Sequence, residues 1–245
     1  MYSLLFTSAL PGEIKVVKSM LKTLDNKIKI EFLSTGIGSY KTILNLAKYL
    51  SENKYDFLVN IGICGYLKEK SLFQVARISN IHNGKELLIP IPFKFLSLDS
   101  IACSENIVYD KKNLQDENYV DMESYGFELV CDDFKIPRII LKVPYDEIGS
   151  TETKEFDKDK LDKLLKQIDY NKLIEEIVKF LEKHKKDKID FSKYFEHYKL
   201  TFSEKLIFEK MYYKYVSLVG ENFDKFFEEN KTLSKKEFLE ELGVI

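Results

Sequence analysis

Three times within the first 66 residues, an apolar run of strand length leads directly into a glycine-bearing turn. Ser3 to Ala9 meets Pro11-Gly12, Lys29 to Ser34 meets Thr35-Gly36-Ile37-Gly38, and Asp56 to Ile61 meets Gly62-Ile63-Cys64-Gly65. After the first turn, Glu13 opens a stretch with Ile14, Val17, Leu21 and Leu24 at helical spacing, and after the second a helix is predicted over Tyr40 to Glu52. An apolar strand followed by a crossover helix and a further apolar strand favours parallel pairing, because such strands must be covered on both faces. Further strands are predicted over Gln74 to Ile81, Glu86 to Pro92, Ser100 to Cys103 and Arg138 to Val143. The expected fold class is α/β: a three-layer, mostly parallel or mixed sheet with helices on both faces.

In such a sheet, small ligands are held where strand ends meet helix starts. Val120-Asp121-Met122-Glu123-Ser124 stands just before a helical run, Tyr125 to Phe134, and Asp146 follows the strand that ends at Val143. Each acid has a plain structural reading. Asp121 and Glu123 would suit the first turn of the next helix, Asp146 would suit a turn, and Glu13 would suit a helix start. Taken together they are candidates for one crevice. The glycines at 36 and 38 would let backbone amides approach a ligand, although they do not form a dinucleotide fingerprint.

Composition narrows the classes. Of the 245 residues, 44% are hydrophobic and the formal charge is −2, spread evenly, so no basic face for nucleic acid is expected. Cys64, Cys103 and Cys131 are odd in number and sit in apolar surroundings, which reads as free thiols in a reducing, cytoplasmic setting. His82, His184 and His197 have no metal-ligand spacing, so no metal is expected. The beginning of the chain lacks a signal-like pattern and no apolar run reaches membrane-spanning length, so no membrane partner is expected.

From Asp157 onward the pattern is helical. Leu161, Leu164, Leu165, Ile168, Leu173, Ile177, Phe180 and Leu181 fit one or two helices interrupted near Asp169-Tyr170-Asn171, and the charged run Glu182 to Lys188 ends them. Beyond lie aromatic and aliphatic clusters: Tyr194, Phe195 and Tyr198; Leu206, Ile207, Met211 and Tyr215; Phe223, Phe226 and Phe227. These read as packing surface. Ser234 and Glu237 have the spacing of a capping box. The expected division is an α/β domain over residues 1 to 183 and a helical extension over 184 to 245.

In order, Ser8-Ala9-Leu10-Pro11-Gly12-Glu13, Ser34-Thr35-Gly36-Ile37-Gly38, Val59-Asn60-Ile61-Gly62-Ile63-Cys64-Gly65, Val120-Asp121-Met122-Glu123 and the strand-closing Asp146 resemble the nucleoside phosphorylase and nucleosidase superfamily. Its nearest branches are the methylthioadenosine/S-adenosylhomocysteine nucleosidases and futalosine hydrolases. The resemblance spans roughly residues 1 to 183. It implies cleavage of an N-glycosidic bond in an adenosine-type nucleoside, with no metal or organic cofactor and a homo-oligomer, commonly a dimer. By resemblance Asp146 protonates the base at N7 and Glu13 handles the attacking water. Glu123 binds the ribose hydroxyls and Met122 packs on the sugar. Asp121, Gly62, Ile107, Val108 and Tyr145 complete the expected substrate contacts, with backbone groups of Ile107 and Val108 facing the base.

Acid catalysis at Asp146 requires a raised pKa, for which Tyr145 and Pro144 are expected to supply burial. Phosphorylases of the superfamily carry arginines where this chain has Asn60 and the loop Pro11-Gly12-Glu13, so water is the expected co-substrate. Phosphorolysis, or a catalytically degenerate binding or interaction module, are the alternatives. The chain departs from the pattern at Tyr145, where serine is usual, and at Asp121, where glutamate is usual. The 66 to 120 segment is short and the helical tail is additional.

Overall fold

A computed structural model describes residues 1–21, 28–68, 71–114, 116–149, 157–184, 191–219 and 223–244. The chain separates into two compact units, Met1–Lys185 and Lys186–Ile245.

The first unit is built on eight strands: β1 (Tyr2–Ser8), β2 (Ile28–Ser34), β3 (Phe57–Tyr66), β4 (Phe73–Asn80), β5 (Glu86–Leu88), β6 (Ser97–Cys103), β7 (Tyr119–Asp121) and β8 (Arg138–Glu147). Parallel pairs β1·β2, β1·β3, β3·β8, β4·β6 and β6·β7 carry most of the sheet. β3·β7, β4·β5 and β4·β8 are antiparallel, so the sheet is mixed. It also closes on itself, which periodicity did not anticipate: β3, β7, β6, β4 and β8 form an unbroken ring of hydrogen-bonded neighbours, and β1 and β2 extend from β3.

Helices cover both faces as expected. On one side α1 (Pro11–Met20), α4 (Lys158–Leu165) and α5 (Tyr170–Lys183) bury Val16, Val17, Leu161, Leu165, Leu173 and Ile177 against Leu4, Phe6, Val59, Ile139 and Leu141. On the other, α2 (Ser39–Glu52) and α3 (Ser124–Asp133) bury Leu46, Leu50, Phe127 and Val130 against Leu5, Leu58 and Ile140. The alternation along β3 and β8 explains the assignment, since successive side chains of a strand point to opposite faces. Asp169 accepts a hydrogen bond from the Lys172 amide and starts α5 at the predicted interruption. Leu24, predicted on the face of α1, lies outside the described residues, as does much of the charged run near 188.

Two strands outrun their predicted ends. β3 continues through Gly62, Ile63, Cys64 and Gly65, which are strand residues and not a turn. Glycine serves there because space is short. A Cβ at Gly62 would stand 3.3 Å from Glu13 Oε1 and 3.4 Å from Lys142 Nζ, and one at Gly65 would stand 3.1 Å from Val120 Cγ1. β8 runs on beyond Val143, and its register against β3 shifts so that Cys64 faces Pro144 while Gly65 faces Asp146. Tyr145 is the extra residue of this bulge, and bulges re-aim the side chains that follow them. The strand predicted over Glu86 to Pro92 is shorter than expected, since β5 ends at Leu88 before the prolines.

The second unit contains α6 (Ser192–Tyr198), α7 (Phe202–Val219), α8 (Phe223–Asn230) and α9 (Lys235–Val244). Their aromatic residues form a core of their own, with Tyr194, Tyr198, Phe208, Tyr215, Phe223, Phe227 and Phe238 buried. Within α7 the inward face is Phe208, Met211 and Tyr215, while Ile207 is exposed, contrary to its predicted place in the cluster. Positions 208, 211 and 215 follow the i, i+3, i+7 stripe and 207 is off it by about 100°. The Ser234–Glu237 capping box forms: the Ser234 amide donates to Glu237 Oε2 and the Glu237 amide donates to Ser234 Oγ.

Candidate active site

A cavity of about 490 Å³ opens at the ends of β1, β3, β7 and β8, within the range usual for small-molecule sites. Its wall includes Glu13, Asp121, Met122, Glu123, Tyr145 and Asp146, together with Ile107 and Val108 from the loop after β6. Thus Glu13, Glu123 and Asp146, about 130 residues apart in sequence at the extremes, share one hollow. Gly62 is not part of the wall. It lies behind it, giving room to Glu13 and Lys142.

Glu13 is 1% exposed. Its Oε2 accepts from the Leu10 amide at 2.9 Å and its Oε1 from the Ile63 amide at 3.0 Å, so the carboxylate bridges the β1–α1 junction and β3. Burial pushes its pKa above the ordinary glutamate value, with the two amide bonds and the Lys142 charge pulling the other way.

Glu123 precedes α3 and accepts the Gly38 amide at 2.9 Å. Gly38 is the last residue before α2 and has φ +97°, a conformation that favours glycine. The predicted glycine turn therefore presents its amide to the site, but to a protein carboxylate. The loop that carries Met122 and Glu123 is fixed by Ser39, whose Oγ donates to the Met122 carbonyl at 3.0 Å. α2 and α3 approach so closely that a Cβ at Gly126 would lie 2.5 Å from the Ser39 carbonyl oxygen. Burial, and then the neighbouring Asp121 charge, raise the Glu123 pKa to about 7, against Lys142 and the Gly38 bond.

Between these acids stands Lys142, which sequence reading passed over. Its side chain is 2% exposed and its Nζ lies 2.7 Å from Asp121 Oδ2. Burial works against its charge, but Asp121, Glu123 and Glu13 outweigh that effect and its pKa is raised. Asp121 also accepts from the Ser124 amide at 3.1 Å and from the Ser124 hydroxyl. Asp121 thus closes the first turn of α3, as its structural reading expects, and on the cavity wall it pairs with the buried cation. The signal for Lys142 was present in Ile139-Ile140-Leu141-Lys142-Val143, since a lysine inside a strand apolar on both faces needs a buried counter-charge.

The opposite end of the cavity differs. Asp146 is exposed, which corrects the expected burial: Pro144 and Tyr145 themselves turn into the interior, and the bulge sends Asp146 out. Tyr145 lines the cavity, but its hydroxyl is engaged elsewhere, donating to the Asp157 carbonyl at 2.9 Å and accepting from the Asp157 amide at 2.7 Å. Ile107 is 66% exposed at the mouth and Val108 is buried.

No known protein family matches the sequence. No curated protein matches it either. Solved structures do match in fold. The 5'-methylthioadenosine/S-adenosyl homocysteine nucleosidase of Campylobacter jejuni superposes with a TM-score of 0.59 at 16% identity, covering 72% of this chain and 98% of that one. A nucleosidase from Chlamydia trachomatis, bound to MTA, gives 0.56 at 20% identity, covering 71% and 98%. That of Neisseria meningitidis, in complex with methylthio-immucillin-A, gives 0.54 at 15%, covering 73% and 99%. The fold expected from the five motifs is therefore present: this chain has the nucleoside phosphorylase-like fold of these nucleosidases.

Proposed function

We propose that the protein is a purine nucleosidase that cleaves an N-glycosidic bond with water. The observation that carries this reading is the convergence of Glu13, Glu123 and Asp146 on one cavity, in a fold shared with nucleosidases. Departure of the base leaves positive charge on the sugar ring and negative charge on the base, so carboxylates beside the sugar and a proton donor beside the base are the groups required. In this reading Glu123, with Met122 next to it, takes the ribose hydroxyls. Glu13, held by two amides, orients and deprotonates the attacking water. Asp146 faces the leaving base, and because its carboxyl is exposed in the free protein, a bound base supplies the burial that favours its protonated form.

Hydrolysis is preferred to phosphorolysis on electrostatic grounds. Among the described residues, the carboxylates of Glu13, Asp121, Glu123, Asp146 and Glu147 line the cavity against one lining cation, Lys160, whose ammonium already donates to the Tyr145 carbonyl, and the buried Lys142 is committed to Asp121. A phosphate dianion entering there meets repulsion where it needs cationic donors. Asn60, at the position where an arginine would serve phosphate, is buried and donates its amide to Thr7 Oγ1 at 3.1 Å. The names of the structural neighbours make methylthioadenosine a first substrate to test, although the cavity groups described so far demand only a purine. A homo-oligomer fits this reading, since Ile37 and Ile107 line the cavity yet are 48% and 66% exposed and a second copy would cover them.

The test is to incubate purified protein with methylthioadenosine, adenosine and inosine in buffers with and without phosphate. Free base and free sugar released at equal rates in both buffers is the expected result. Release only in phosphate, as a sugar phosphate, would assign a phosphorylase, and no release at all would remove the enzymatic reading.

A further inference from the structure

We propose that Lys160 selects the base, making this site one for 6-oxopurine nucleosides in preference to 6-aminopurine ones; the inference rests on the nucleosidase reading above. Lys160 is the one residue of α4 in the cavity wall. Its ammonium donates to the carbonyl oxygen of Tyr145, the residue before Asp146, and lies 4.1 Å from the centre of the Tyr145 ring. The ammonium is therefore held on the cavity wall at the backbone of the residue before Asp146.

Its place is set by several independent contacts. The Asp157 carboxylate accepts the Lys160 amide at 3.0 Å and caps α4. The Tyr145 hydroxyl holds the Asp157 backbone in both directions, at 2.7 and 2.9 Å, and so stitches the start of α4 to the end of β8. A lysine fixed in this way loses less freedom when it meets a ligand than one free in solution. One of its three N–H groups goes to the Tyr145 carbonyl, and an ammonium can only donate.

The chemistry of the purine edge then decides. Position 6 is adjacent to N7: with an oxo group this edge offers two acceptors, and with an amino group it offers an acceptor and a donor. A proton from Asp146 at N7 and a donor from Lys160 beside it match the first pattern. With an adenine, the 6-amino group would face an ammonium, donor against donor. Rejection of this kind is strong, because a site built for a hydrogen bond is left unpaired by the wrong partner.

The experiment compares the wild-type chain with Lys160→Met and Lys160→Gln. Binding of hypoxanthine and adenine is measured by calorimetry, and kcat/KM is measured for inosine and adenosine. The wild-type protein is expected to favour the 6-oxo member of each pair by about 10-fold or more. K160M should lower that ratio to within about 3-fold of unity, and K160Q, whose amide also accepts, should move it towards adenine. A wild-type preference for adenine, binding of neither base, or a ratio unchanged in both variants would overturn the proposal. Lys160-dependent binding of hypoxanthine without hydrolysis of any nucleoside would end the nucleosidase reading and keep the assignment of Lys160. Hydrolysis with the same ratio in all three proteins would do the reverse.

Discussion

The two ends of the cavity are built on opposite principles. At one end Glu13, Asp121 and Glu123 are buried around Lys142, and backbone amides of Leu10, Ile63, Gly38 and Ser124 complete their hydrogen bonding. At the other, Asp146 is exposed, and the nearby Tyr145 hydroxyl and one N–H of Lys160 hold α4 to β8. The hydrogen bonding of the buried end is completed by backbone amides of the chain, and in the proposed reading this end serves the cation that develops on the sugar. The open end leaves its carboxylate at the surface, and in the same reading a bound base covers it there. The contrast teaches that one pair of strand ends can support both, because a single bulge separates the interior face of β8 from its exposed tip.

The largest effect expected of this contrast is on stability. Lys142→Met removes the cation and leaves Asp121 and Glu123 buried without it, and breaking a buried ion pair in this way costs about 3–5 kcal/mol. Urea denaturation should show the loss in the transition of the first unit. A midpoint unchanged from wild type would mean that the acids are neutral in the free protein and that the buried end is not held by charge.

A smaller effect is expected in the pH dependence. The Glu123 carboxyl has a pKa of about 7 in the folded chain against an ordinary 4.5, so the folded state binds the extra proton. Its contribution is full below about 4.5 and is lost as pH rises through 7, at up to about 1.4 kcal/mol per pH unit. Thermal denaturation from pH 4.5 to 8 should show this fall in the wild type and a flatter profile in Glu123→Gln. Equal slopes in the two proteins would place the titration elsewhere.

Much of this architecture is legible in the sequence where the signal is local. The run from Ser3 into Pro11-Gly12 and the run from Lys29 into Gly36 give β1, α1, β2 and α2 nearly to their ends, because strand apolarity, turn chemistry and helical period agree there. The acids were found for a related reason: charged residues at strand ends and helix starts stand out from their neighbours. What stayed hidden is long-range. Nothing in Gly62 to Gly65 says that Glu13, some 50 residues earlier, will occupy the space a side chain would need, so a strand interior reads as a turn. Closure of the ring depends on Phe73 and Gln74 meeting Lys142 and Leu141, a pairing that no local pattern encodes. The bulge at Tyr145 likewise exists only in relation to β3. The tail shows the same division, since its aromatic core was legible as a class of residue while the phase of α7 placed Phe208 inside and Ile207 outside.

The central claim is that Glu13, Glu123 and Asp146 serve one nucleoside. The most direct test is a crystal structure of the Asp146→Asn chain grown with inosine. The account predicts a nucleoside in the cavity with its N7 edge against position 146, its ribose hydroxyls on Glu123 and its anomeric carbon facing Glu13 across a water. A nucleoside seated outside the cavity, or one whose sugar contacts neither glutamate, would contradict it.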